Sequence, residues 1–286
     1  MTEQDKQDKF KFQIIYLVPI LASLIFGLGC AYLLSPQPQA TIPVTPFPEN
    51  TPSGPFSNAF YFVILVAISA TLFYILLKRR SKKIIKGLIV FAMTTASLLL
   101  SLVYLSAIFN YLPSWSIFLI PISIVITVLF DVAIFRLGNI PRNVAVVGVG
   151  GALGIFFGFE IPLYSAVLIL AFLAIYDVFA VYRGPVGKIA QSGAGLEELQ
   201  GLSFSFKDIQ MGLGDLVFYS MLTGAMFFSF LPNVLPAIVA IIGIIAGSVI
   251  TFFMLEKRGI FPGLPFPIML GLAGGLITGF FILPLL

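Results

Sequence analysis

Two aspartates stand where carboxylates are costly. Asp177 lies in Ala174-Ile175-Tyr176-Asp177-Val178-Phe179-Ala180-Val181, and Asp215 in Gly212-Leu213-Gly214-Asp215-Leu216-Val217-Phe218-Tyr219-Ser220, both within apolar runs that contain no Lys, Arg or His. An ionised carboxylate in such a run needs a partner or a function. Two carboxylates that face each other without a cation do not both ionise, so the pair holds a proton between them, and one member can act as base while the other acts as acid. The competing reading is two unrelated acids, each kept neutral in its own helix contact, and the spacing alone leaves it open. The rest of the inventory narrows the chemistry. The chain has no histidine and one cysteine, Cys30, which removes the commonest metal ligand, the Ser-His-Asp triad, the Cys-His pair and any disulfide within the chain. Chemistry here has to run on carboxylates, and neither a metal nor a cofactor is expected.

A third acid, Asp131, also interrupts an apolar run. It precedes Arg136 by five residues, about 7.5 Å of helix rise, so snorkelling toward that end or pairing with the arginine accounts for it. A further irregular segment, Phe261-Pro262-Gly263-Leu264-Pro265, opens the last apolar run. Its prolines remove backbone donors and Gly263 permits unusual torsions. Irregular backbone at membrane depth is tolerated where it is buried in protein or lines a wet cavity.

The elements that must position these residues follow from composition. Of 286 residues, 59% are hydrophobic and 10% charged, and the mean hydropathy is +1.08. A soluble domain carries about a quarter charged residues, so the chain belongs in a bilayer. Nine apolar runs are long enough to be spanning helices: Phe12 to Leu34, Ala59 to Leu77, Gly87 to Phe109, Ser116 to Phe135, Val144 to Phe159, Ile161 to Val181, Gly212 to Leu231, Val234 to Leu255 and Leu264 to Leu285. The fifth is the shortest. Lys6, Lys9 and Lys11 precede the first, but its apolar stretch exceeds that of a signal peptide and no small-x-small cleavage site follows. All 16 Lys and Arg residues fall in the N-terminal tail or in the second, fourth, sixth and eighth loops. By the excess of basic residues in cytoplasmic loops, this sets the N-terminus in the cytoplasm and the C-terminus outside. The net charge of +4 is thereby a topology signal, and nucleic acid is not an expected partner.

The connections carry their own signals. Ser35 to Asn58 holds seven prolines and reads as extended, poorly structured polypeptide outside the membrane. Arg183 to Met211 is polar and Gly-rich, a flexible inner loop, and within it Ser203-Phe204-Ser205-Phe206-Lys207 alternates with the period of a strand. That strand is expected to pair with an unwound substrate segment. Small-x-x-x-small spacing at Gly150/Gly154/Gly158, Gly243/Gly247 and Gly271/Gly275/Gly279 predicts close helix packing. No internal repeat of the kind that builds two-fold transporters is visible.

A Gly-x-Gly-Asp string arises by chance in a Gly-rich chain, but here it pairs with a membrane-embedded Tyr-Asp at matching depth. With these motifs the chain resembles the presenilin and signal peptide peptidase family of intramembrane aspartyl proteases. The likeness covers most of the chain through its nine-helix plan and is sharpest from Tyr176 to Pro265. The family's Tyr-Asp motif falls on Tyr176 and Asp177, its Gly-x-Gly-Asp motif on Gly212, Leu213, Gly214 and Asp215, and its Pro-Ala-Leu motif on Pro262, Gly263 and Leu264. Gly263 departs from the family's Ala. The resemblance implies an aspartic-type endopeptidase whose catalytic residues are Asp177 and Asp215. Tyr176, Gly212, Leu213, Gly214, Pro262, Gly263 and Leu264 would support the site or bind substrate. It implies a transmembrane protein or peptide as substrate. The orientation of the sixth helix resembles that of presenilins, and the compact chain resembles a prokaryotic homologue in a cell membrane.

Three functional segments are expected: residues 1–182 with the first six helices and Asp177, residues 183–211 as the inner loop, and residues 212–286 with the last three helices, Asp215 and the Pro-Gly-Leu turn. A proton-coupled transporter, with membrane acids carrying protons, is the alternative from another class. A prepilin-type peptidase is the enzymatic alternative, since it also uses a Gly-x-Gly-Asp aspartate. Substrate identity, cleavage site, oligomeric state and the assignment of base and acid within the pair are left open by the sequence.

Overall fold

The computed structural model describes residues 11–38, 44–79, 81–184, 202–206 and 209–285. Its helices are α1 (Val18–Leu34), entered through a short 3-10 turn at Ile14–Leu17, α2 (Gly54–Lys78), α3 (Lys82–Phe109), α4 (Leu119–Phe135), α5 (Asn139–Glu160) and α6 (Leu163–Tyr182). After these come two short strands, β1 (Ser203–Phe206) and β2 (Ile209–Gly212), then α7 (Leu213–Ser229), α8 (Leu235–Arg258) and α9 (Pro265–Ile277). Among the described residues, eight helical stretches are long and apolar enough to cross a membrane, and α7, at 17 residues, is the shorter ninth. With no water in the hydrocarbon core, a spanning segment has to satisfy its backbone internally, which is why each apolar run folds as a helix.

Burial separates the central helices from the peripheral ones. None of the most apolar stretch of α2 is buried, whereas 67% of the corresponding stretch of α5 is. This explains why the fifth run looked shortest: α5 packs mostly against protein, so its sequence is less apolar, and the helix extends five residues before Val144 to Asn139. Its glycines form the seam with α7. A Cβ at Gly154 would lie 2.3 Å from the Val217 carbonyl oxygen, and one at Gly158 would lie 2.6 Å from the Ala225 nitrogen. The same device joins α8 to α9, where a Cβ at Gly247 would lie 2.4 Å from the Pro267 nitrogen. The expected role of these glycines in helix packing is borne out.

Two expectations need correction. The Pro-rich segment is not simply extended: residues 39–43 lie outside the described residues, but the part that follows is tied down. The Phe47 amide donates to Asn58 Oδ1 at 2.9 Å, and Asn58 Nδ2 donates to the Phe47 carbonyl at 3.0 Å and to Ser165 Oγ at 2.9 Å. Glu49 accepts from the Ser165 amide and hydroxyl at the start of α6. Proline content predicts a lack of regular structure, and it says nothing of polar side chains that fasten a loop to a helix end. The second correction concerns Asp131 and only the pairing half of its reading. Thr94 on α3 donates to its Oδ2 at 2.7 Å, and among the described residues no bond joins it to Arg136. The partner comes from the neighbouring helix because α3 and α4 pack side by side.

The alternating segment before Asp215 forms β1, although Lys207 lies outside the described residues. β1 pairs antiparallel with β2, in the register Ser203 to Gly212, Phe204 to Met211, Ser205 to Gln210 and Phe206 to Ile209. Most of the expected inner loop, residues 185–201 and 207–208, also lies outside the described residues.

Candidate active site

Three chain ends meet around the two aspartates. Asp177 stands little more than one turn before the end of α6. Asp215 stands in the first turn of α7, immediately after β2 hands the chain over to the helix at Gly212. Between α8 and α9 the helix stops at Gly259, whose φ of +75° is open to glycine and strained for other residues. The chain then runs through Phe261 to Leu264 before Pro265 opens α9. The Phe261 and Phe266 rings stack at 5.7 Å across this turn, and the Arg258 guanidinium lies 6.0 Å from the Phe261 ring. A turn braced in this way can present its backbone groups in fixed directions.

Those groups point at the acids. The Leu264 amide donates to Asp177 Oδ2 at 3.0 Å, and the Gly263 backbone also interacts with Asp177. A Cβ built on Gly263 would lie 3.1 Å from both carboxylate oxygens of Asp215, so the bare Cα face of this residue is turned to the second acid. Asp177 and Asp215 thus approach the same turn from the end of α6 and from the start of α7. Neither carboxylate has a salt-bridge partner among the described residues, and Asp177 and Asp215 are each partly buried. Two acids set against one turn without a counter-ion are an arrangement in which one can be ionised while the other stays protonated, the requirement for paired acid-base chemistry. Among the described residues no group of three or more His, Cys, Asp or Glu side chains converges as a metal site would require.

The residues expected from the sequence divide into two sets. Asp177, Asp215, Gly263 and Leu264 come together directly, Pro262 is buried beside them in the same turn, and a Cβ at Gly212 would lie 3.9 Å from Asp215 Oδ2. The others stand apart. Leu213 packs toward α5, where its Cδ1 would be 3.3 Å from a Cβ at Gly150, and the nearest atom to a Cβ at Gly214 belongs to Phe218. Tyr176 is half-buried next to Asp177, and its hydroxyl makes no hydrogen bond among the described residues.

One residue of the site was not singled out from the sequence. Tyr219, 3% exposed, donates its hydroxyl to the Gly263 carbonyl at 2.9 Å. It follows Asp215 by four residues, the spacing that puts two side chains on one helix face. That spacing was the available signal, and it was hidden by an aromatic residue that reads as core.

Comparison with known proteins bears on the family and the fold. The family described as signal-peptide peptidase, presenilin aspartyl protease matches residues 30–187, more than half of the chain, Asp177 included. None of the curated proteins compared matches the chain. Among solved structures, one of a presenilin family intramembrane aspartate protease in space group P2 superposes with a TM-score of 0.64 at 18% identity, covering 94% of this chain and 98% of that one. A second, in space group C222, gives a TM-score of 0.64 at 19% identity and covers 91% and 97%. At these identities the likeness is one of fold, and it extends past the family match through α7, α8 and α9. With the family match over most of α1 to α6 and the fold shared to the C-terminal helices, the chain belongs to the signal-peptide peptidase and presenilin aspartyl protease family.

Proposed function

We propose that Asp177 and Asp215 are the catalytic pair and that they hydrolyse peptide bonds within transmembrane segments of other proteins. The chain itself is an intramembrane aspartyl protease, by its family and by the apolar helices that make it an integral multi-pass membrane protein. The observation that carries the residue assignment is that one turn, Gly263–Leu264, donates to the Asp177 carboxylate and turns the bare face of Gly263 toward that of Asp215. In the mechanism this supports, one carboxylate takes a proton from water as the water oxygen adds to the scissile carbonyl, and the other gives its proton to the carbonyl oxygen. Collapse of the tetrahedral species breaks the C–N bond: the first carboxylate gives its proton to the leaving nitrogen, the second takes one from a hydroxyl of the tetrahedral carbon as the new carboxyl group forms, and the pair returns to its starting state. The two acids act as one titrating unit, so base and acid are roles of the pair. The family match supports this reading over a proton-coupled transporter and a prepilin-type peptidase.

On this reading α1 to α6 supply Asp177, and α7 to α9 supply Asp215 and the turn. The distribution of Lys and Arg supports an N-terminus in the cytoplasm and a C-terminus outside, which puts the dyad toward the cytoplasmic side. The short sequence between α6 and α7 supports placement in a prokaryotic cell membrane. The reading is tested by incubating purified protein in bilayer discs with a single-span substrate and mapping the products by mass spectrometry. A cut inside the apolar segment is expected, and cuts confined to the soluble flanks would exclude intramembrane hydrolysis.

A helical substrate shields its own amides, so the scissile segment has to unwind and find new backbone partners. The hairpin leading into α7 supports strand addition as the means. Donor direction alternates along a strand, so the Phe204 and Phe206 amides point to one side of β1 and the Ser205 amide to the other. Phe204→Pro and Ser205→Pro therefore test both sides, and at least one is expected to cut turnover several-fold with the helical content unchanged. Normal turnover in both would rule out strand addition at β1 and leave the aspartates as assigned.

A further inference from the structure

The peptide unit between Gly263 and Leu264 is gripped on both edges. Its carbonyl accepts from the Tyr219 hydroxyl at 2.9 Å, and its amide donates to Asp177 Oδ2 at 3.0 Å. A trans peptide unit is planar, with C=O and N–H pointing in opposite directions, so fixing one edge fixes the other. Glycine makes this unit easy to rotate, because no Cβ restricts the torsions of Gly263. Rotation would turn a carbonyl oxygen toward Asp177 in place of the amide. It would also shift Gly263 against Asp215, whose carboxylate oxygens lie 3.1 Å from where a Cβ would stand.

We propose that Tyr219 is a positioning residue of the aspartate pair: its hydroxyl, bonded to the Gly263 carbonyl, keeps the Leu264 amide on Asp177 and the Gly263 Cα against Asp215. The inference rests on the assignment of the two aspartates as the catalytic pair. Its geometry is specific. Tyr219 sits one helical turn after Asp215, is almost wholly buried, and reaches from α7 to the turn that opens α9. Ser248 on α8 lies beside the same hydroxyl and itself donates to the Ile244 carbonyl at 2.8 Å. The strut therefore ends where α7, α8 and the turn meet, and its phenolic tip has the partner that a buried tyrosine needs. Tyr219 touches neither carboxylate by any hydrogen bond in the structure and acts through the turn.

Tyr219→Phe keeps the ring and removes the hydroxyl. Its kcat on a single-span substrate is expected to fall roughly ten- to a hundredfold, the scale of one lost buried hydrogen bond, with KM unchanged. Affinity for a peptide mimic carrying a hydroxyl at the scissile position is expected to fall by the same factor, since the mimic imitates the tetrahedral species. Tyr104→Phe is the matched control, because Tyr104 also donates to a backbone carbonyl, that of Ala152 at 2.8 Å, but between α3 and α5. It is expected to lower Tm without lowering kcat. Wild-type kcat in Tyr219→Phe, or equal kcat losses in the two variants at equal Tm loss, would overturn the proposal. Absence of cleavage by the wild type would instead strike the catalytic assignment itself, and the inference with it.

Discussion

Asp177→Asn and Asp215→Asn are each expected to lower turnover by at least about a thousandfold, toward the upper end of what a positioned acid or base contributes, while leaving the fold intact. The two losses should be similar, and the double variant should be no worse than either single one, because a proton-sharing pair fails as a unit. Asn matches Asp in shape, and at position 177 its carbonyl oxygen can still accept from the Leu264 amide, so the turn has no reason to move. Turnover of a single-span substrate, measured beside Tm for each variant, checks this. Cleavage retained by either single variant would dissolve the pair.

The second large effect is at the seam between α5 and α7. In Gly154→Ala the new methyl would lie 2.3 Å from the Val217 carbonyl oxygen and 2.5 Å from Ser220 Cβ, and both are parts of α7 that a rotamer change cannot clear. The helices have to separate, at a cost of about 1 to 3 kcal/mol for overpacking. Asp215 rides on the first turn of α7. A displacement near 1 Å at a reacting centre can cost on the order of a hundredfold in rate, so activity should fall further than stability alone would predict. Gly148→Ala is the control on the same helix: its nearest neighbours would be ring atoms of Phe130 at 3.9 Å and Phe26 at 4.0 Å. It should match the wild type in turnover, with a Tm equal or somewhat higher, since Ala is the better helix former. If Gly154→Ala also matches the wild type, the seam does not position the acid.

How much of this was legible in the sequence depends on whether a residue's environment lies along the chain or across it. The helices were legible because lipid demands long apolar runs, and Asp177 and Asp215 stood out because a carboxylate in such a run is costly. The Pro-Gly-Leu turn was visible as a break in the pattern. The extent of α5 was not: a helix surrounded by protein no longer needs a fully apolar surface, so hydropathy understates it. Contacts between separate helices were equally hidden. Thr94 as the partner of Asp131, Glu49 and Asn58 on Ser165, and Tyr219 on Gly263 each join positions far apart in sequence. β1 was anticipated from its alternation, but its pairing with β2 was not, since Ile209-Gln210-Met211-Gly212 alternates over only four residues and runs directly into the apolar run that starts at Gly212. Leu213 and Gly214 were carried into the site by their motif, whereas in the structure Leu213 packs toward α5 and Gly214 is exposed.

The claim that one peptide bond is cut between Asp177 and Asp215 is tested most directly by an experimental structure of the protein bound to a peptide mimic with a hydroxyl in place of the hydrated scissile carbonyl. The hydroxyl is expected within hydrogen-bond range of both carboxylates, about 2.5 to 3.0 Å from an oxygen of each, beside the Gly263–Leu264 turn. A hydroxyl bound to one aspartate alone, or lodged away from both, would contradict the account.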